Sequence, residues 1–63
     1  MIYLNGKEHE DYGSLAELLK DNGYKRDKIA VEINGAIIKK SDYDKTAVNS
    51  GDVIEVVSFV GGG

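Results

Sequence analysis

Apolar residues change their spacing along this chain, and each change marks an element. Ile2 and Leu4 alternate with Tyr3, and Asn5-Gly6 follows at once. Period-two alternation predicts a half-buried strand, and Asn-Gly predicts a type I′ hairpin because both residues accept positive φ. The return strand, near Lys7-Glu8-His9-Glu10, is polar and weakly specified. Ser14-Leu15-Ala16-Glu17 reads as a capping box, in which the Ser14 hydroxyl accepts from the Glu17 amide and the Glu17 carboxylate reaches back to the Ser14 amide. Leu15, Leu18 and Leu19 then keep the i, i+3, i+4 spacing of one helical stripe, with Glu17, Lys20 and Asp21 toward water. Gly23 supplies the left-handed residue that ends the helix.

Alternation returns at Ile29-Ala30-Val31-Glu32-Ile33, and Asn34-Gly35 repeats the hairpin signal before Ala36-Ile37-Ile38. Ser41 to Val48 shows no clean period and is expected to cross the molecule as irregular structure or a short helical turn. Asn49-Ser50-Gly51-Asp52 is a turn. Val53 to Phe59 is the most strand-like stretch, rich in β-branched residues, and reads as an interior strand. The order β-β-α-β-β-β predicts an α+β fold: a mixed sheet of about five strands with one helix packed on one face, the β-grasp arrangement of ubiquitin. Residues 1–60 are expected to form one domain, and 61–63 a flexible glycine tail.

Alternation also divides the last strand. Ile54 and Val56 fall on one face, and Val53, Glu55, Val57 and Phe59 on the other. If the first pair faces the helix, Val57 and Phe59 form an exposed apolar patch beside the tail, and with Val60 they are the candidate partner-binding residues. A local bulge that returned Phe59 to the core is the competing arrangement.

Composition narrows the chemistry. A chain of 63 residues is enough for one domain and leaves little volume for an enclosed substrate pocket, so an enzyme is not expected. The 41% hydrophobic and 30% charged content fits a soluble globular protein rather than disorder or a membrane span. The first residues lack a positive leader and an apolar run, which makes the cytoplasm the expected location. The absence of cysteine excludes disulfides and any carrier built on a side-chain thiol. With net charge −3 and one basic cluster, Lys25-Arg26-Asp27-Lys28, broken by its own acid, nucleic acid is a poor partner. A basic protein partner is favoured. His9 among Glu8, Glu10 and Asp11 reads as a solvated strand or loop and not as a metal site. Tyr3, Tyr12, Tyr24 and Tyr43 are expected at the margins of the core with their hydroxyls in water, and Lys39-Lys40 and Asp42 with Asp44 as surface charge.

Gly61-Gly62-Gly63 follows directly on the strongest strand. At an average glycine usage of about 7%, such a run arises by chance on the order of a few times in ten thousand. Without side chains it can extend, enter a narrow channel and present a terminal carboxylate. That carboxylate is a poor electrophile until its oxygen attacks the α-phosphate of ATP, giving an acyl-adenylate. Sulfur transfer to the carbonyl carbon would leave a thiocarboxylate. The chain has no phosphate-binding loop of its own, so a separate enzyme must use the ATP, and no cofactor is expected on this chain.

The paired Asn-Gly turns, the capped leucine helix, the stretch Asn49-Ser50-Gly51-Asp52-Val53-Ile54-Glu55-Val56-Val57 and the ending Phe59-Val60-Gly61-Gly62-Gly63 together resemble the ThiS family of sulfur carriers of thiamine thiazole biosynthesis. The resemblance covers essentially the whole chain. It implies a terminal glycine that is adenylated by an E1-like partner (ThiF), converted to a thiocarboxylate with sulfur from a donor protein, and delivered to thiazole synthase (ThiG). Those roles fall on Gly63, with Gly61 and Gly62 threading into partner active sites; Gly61 lengthens the usual double-glycine ending. The implied carrier is monomeric when free. Three other readings share parts of the pattern: a MoaD-type carrier for molybdopterin synthesis, which is usually longer, a ubiquitin-like modifier, and a β-grasp interaction module with an unused tail.

Overall fold

In the computed structural model, which describes residues 1–59, five strands lie in the spatial order β2-β1-β5-β3-β4. β1 (Ile2–Leu4) and β2 (Lys7–His9) form the first hairpin, and β3 (Ile29–Ile33) and β4 (Ala36–Ile38) the second. Between the hairpins runs α1 (Leu15–Asp21), and β5 (Val53–Ser58) closes the sheet from its middle. β5 pairs parallel with β1 and antiparallel with β3, so the sheet is mixed and its last strand is central. This is the β-grasp arrangement expected from the element order.

Both Asn-Gly turns have the expected backbone, with φ of 51° at Asn5 and 53° at Asn34, and positive φ at Gly6 and Gly35. Their asparagines do more than turn. The Val56 N–H donates to Asn5 Oδ1 at 2.8 Å, and the Val53 N–H donates to Asn34 Oδ1 at 2.9 Å. Each side chain thus satisfies a β5 amide where a neighbouring strand has turned away, one on each side of β5.

The helix begins as predicted, with the Glu17 N–H donating to Ser14 Oγ at 3.2 Å. The reciprocal half of the box differs. The Glu17 carboxylate accepts from the Ser14 hydroxyl at 3.4 Å rather than from the Ser14 amide. The first helical amide, that of Leu15, donates to the Thr46 carbonyl at 3.0 Å across a bridge between Ser14 and Ala47. At the far end Gly23 has φ +74°, its N–H donates to the Lys20 carbonyl, and the Tyr24 N–H donates to that of Leu19. These are the two bonds of a Schellman cap.

Helix α1 is too short to be stable alone. It is held by burial of Leu15, Leu18 and Leu19, each on the order of 1.5–3 kcal/mol. They pack with Ile2, Leu4, Ile29, Val31, Ile54 and Val56 from one face of the sheet. Tyr43 and Val48 complete this core. Tyr43 corrects the expectation that the tyrosines lie at the margins: its residue is 2% exposed and ranks among the largest buried side chains. It sits in a 3₁₀ segment, Lys40–Lys45, whose polar neighbours give no apolar periodicity. Nor are all the tyrosine hydroxyls left to water, since that of Tyr12 donates to Asp21 and that of Tyr24 accepts from Asn5.

Candidate functional site

The end of β5 is the last described part of the chain before the C-terminal glycines. The ladder with β3 runs from Ile33 opposite Ile54 to Ile29 opposite Ser58, and continues one residue further where the Phe59 N–H donates to the Lys28 carbonyl at 2.6 Å. Ile54 and Val56 are buried, while Val53, Val57 and Phe59 are 43%, 60% and 54% exposed. Because the pairing continues without a break in register, Phe59 keeps the parity of Val57 and stays on the outer face. Val60, Gly61, Gly62 and Gly63 lie outside the described residues.

Register extends the outer face beyond β5. Val53 is the partner of Tyr3, Val57 of Ala30 and Glu55 of Glu32, while Glu32 is also opposite Ile37 on β4. Ile37 is 77% exposed and Tyr3 is 41% exposed. The apolar surface therefore reaches across four strands, wider than the group around Val57 and Phe59 that alternation in one strand could identify. Combining the Asn34-Gly35 turn with the alternation of β3 would have found Ile37, because a two-residue loop fixes which residues face each other.

The carbonyl that receives Phe59 belongs to a 3₁₀ turn, Arg26–Lys28, bound to the 3₁₀ segment Lys40–Lys45 by two ion pairs. Arg26 makes a bidentate contact with Asp44, 3.0 Å from Nη1 to Oδ2 and 2.5 Å from Nη2 to Oδ1. Its guanidinium lies 5.8 Å from the centre of the Tyr43 ring. Lys40 pairs with Asp27. Hydrogen bonding from Arg26 holds the Asp44 carboxyl below the usual carboxylate range, and Lys40 does the same to Asp27. Thus two of the charges read as plain surface charge, Lys40 and Asp44, are partners of the basic cluster.

On the helix side, an open hollow of about 500 Å³ is lined by Ala16, Leu19, Lys20, Gly23, Tyr24, Arg26 and Asp44. The His9 ring stands 5.6 Å from that of Tyr12 and near the Glu10 carbonyl. Among the described residues no three His, Cys, Asp or Glu side chains group to hold a metal ion. Among them too, no helix is long and apolar enough to cross a membrane. What the described residues offer is a surface and a strand end.

Comparison with known proteins agrees with this geometry. The ThiS family model matches residues 2–63. The sulfur carrier protein ThiS of Bacillus subtilis is 39% identical over 66 residues, covering the whole of both chains. The thiazole synthase of Paramagnetospirillum magneticum is 42% identical over 64 residues, which are 98% of this chain but 20% of that protein. The chain thus spans about a fifth of the length of such synthases. The crystal structure of the thiamine biosynthesis protein ThiS from Geobacter metallireducens superposes with a TM-score of 0.80 at 31% identity, over 98% of this chain and 97% of that one.

Proposed function

The chain belongs to the ThiS family, and from that premise we propose that it is a sulfur carrier for thiamine biosynthesis whose reacting group is the Gly63 carboxylate. The observation that carries this reading is the full-length correspondence with the Bacillus subtilis carrier, together with a family match that runs through Gly63. A ThiF-like adenylating enzyme draws Gly61 and Gly62 into its active site. There a Gly63 oxygen attacks the α-phosphate of ATP, pyrophosphate leaves, and the acyl-adenylate forms. Hydrosulfide supplied by a donor protein then attacks the carbonyl carbon, AMP leaves with the C–O electron pair, and loss of the sulfur's proton gives the thiocarboxylate. A ThiG-like thiazole synthase receives the sulfur. Similarity to synthases that contain a region like this chain supports that last step.

In this scheme the domain is a handle and carries no catalytic group of its own. Docking falls to Val57, Phe59 and Val60 at the root of the tail. The test is intact-mass analysis after incubation with ATP, the adenylating enzyme and a sulfur source. The full chain should gain the mass of one oxygen-to-sulfur exchange, and a chain lacking Gly62 and Gly63 should gain none. Normal conversion of the shortened chain would overturn the assignment of Gly63.

A further inference from the structure

The outer sheet face carries a charge arrangement that no ion pair among the described residues answers. Register places Glu32 directly opposite Glu55 on adjacent central strands, and both are exposed. The Phe59 to Lys28 bond marks a hydrogen-bonded position of the ladder, and alternation by two brings Glu32 and Glu55 into the same class. Such positions hold their Cα atoms about 5.5 Å apart. Like charges directly opposite on one face destabilise a sheet. The ion pairs among the described residues join Met1 to Asp11, Arg26 to Asp44 and Lys40 to Asp27, and none reaches either glutamate. Around the pair the face is apolar and exposed, with Ile37 beside Glu32 and Val53 and Val57 two residues either side of Glu55.

We infer that this face takes a protein partner which lays an arginine side chain across Glu32 and Glu55 and aliphatic groups over Val57 and Ile37. A guanidinium has donors in a planar fork that can bridge two carboxylates, so docking replaces a repulsion with two charge-assisted hydrogen bonds. The same charges select against other occupants. A second copy docked by this face would bring four carboxylates together, and nucleic acid or an anionic membrane would meet its own sign. The inference rests on the carrier reading above and identifies the occupant with the adenylating partner.

The test compares the wild-type chain with a Glu32→Gln/Glu55→Gln double variant. The variant keeps the fold, and its urea midpoint stays level or rises because a repulsion is gone. In thiocarboxylate formation by the adenylating enzyme, the carrier concentration giving half-maximal rate rises about tenfold or more, with the maximal rate far less changed. Added salt weakens the wild-type interaction more steeply than that of the variant. Equal half-saturation and equal salt dependence, with both chains converted, would overturn this inference and leave the carrier reading standing. Failure of the wild-type chain to be converted at all would overturn both.

Discussion

Asn5 and Asn34 show how much one residue can do here. In sequence they announce turns, because asparagine accepts positive φ; in the structure each also completes the hydrogen bonding of β5. The two roles separate under substitution. Asn34→Gly keeps the turn conformation and removes the bond to the Val53 amide, and its urea unfolding should show a loss of about 1 kcal/mol. Asn34→Ala should lose more, since it adds the cost of positive φ for a residue with a Cβ. Equal stability of the glycine variant and wild type would mean that water replaces the side chain at no cost. The turns were legible because their signal is local. The bonds to β5 were not, because they depend on a strand 19 residues away from Asn34 and 51 from Asn5. Tyr43 was illegible for a related reason: in a 3₁₀ segment flanked by Asp42 and Asp44, nothing in the spacing distinguishes a buried ring from an exposed one.

At the scale of elements, the two hairpins, the helix and the last strand were all readable from periodicity and caps. The 3₁₀ turn Arg26–Lys28 was not, and it is the element that receives the strand end. Its two ion pairs make a pH prediction. Asp27 and Asp44 both have carboxyls held below their ordinary range, by Lys40 and Arg26. A depressed folded value means that the stabilisation is complete above the ordinary aspartate range, near pH 4, and is lost as pH falls through the depressed values. The difference in urea midpoint between wild type and an Asp27→Asn/Asp44→Asn variant should therefore be level near neutrality and shrink as pH falls below the ordinary aspartate range. The pairs are exposed, so the difference should be small and should fall with added salt. A difference that grew on acidification would contradict the assignment of these pairs.

At the scale of the molecule the governing fact is that, among the described residues, one layer covers one face of the sheet, while the other face is open across four strands. The core thereby lies on one side of this backbone, and the docking proposed above uses the other. Phe59→Asp should leave urea unfolding cooperative and its midpoint nearly unchanged, because the ring is outside the core. It should raise the carrier concentration needed for half-maximal conversion by the adenylating enzyme. Loss of cooperative unfolding in this variant would mean that the ring supports the fold after all. The alternation of Val53 to Phe59 gave the two sides of β5 from sequence. The breadth of the open face needed the register of three strand pairs, which no single segment carries.

The central place of β5 has one more consequence. The β1–β2 hairpin and the β3–β4 hairpin are joined in the sheet solely through it. A chain cut upstream of Val53 and parted from its final strand therefore has two hairpins with no ladder between them, and it should lose cooperative unfolding. The strand that leads in sequence to the glycines is thus the same one whose loss parts the two halves of the sheet.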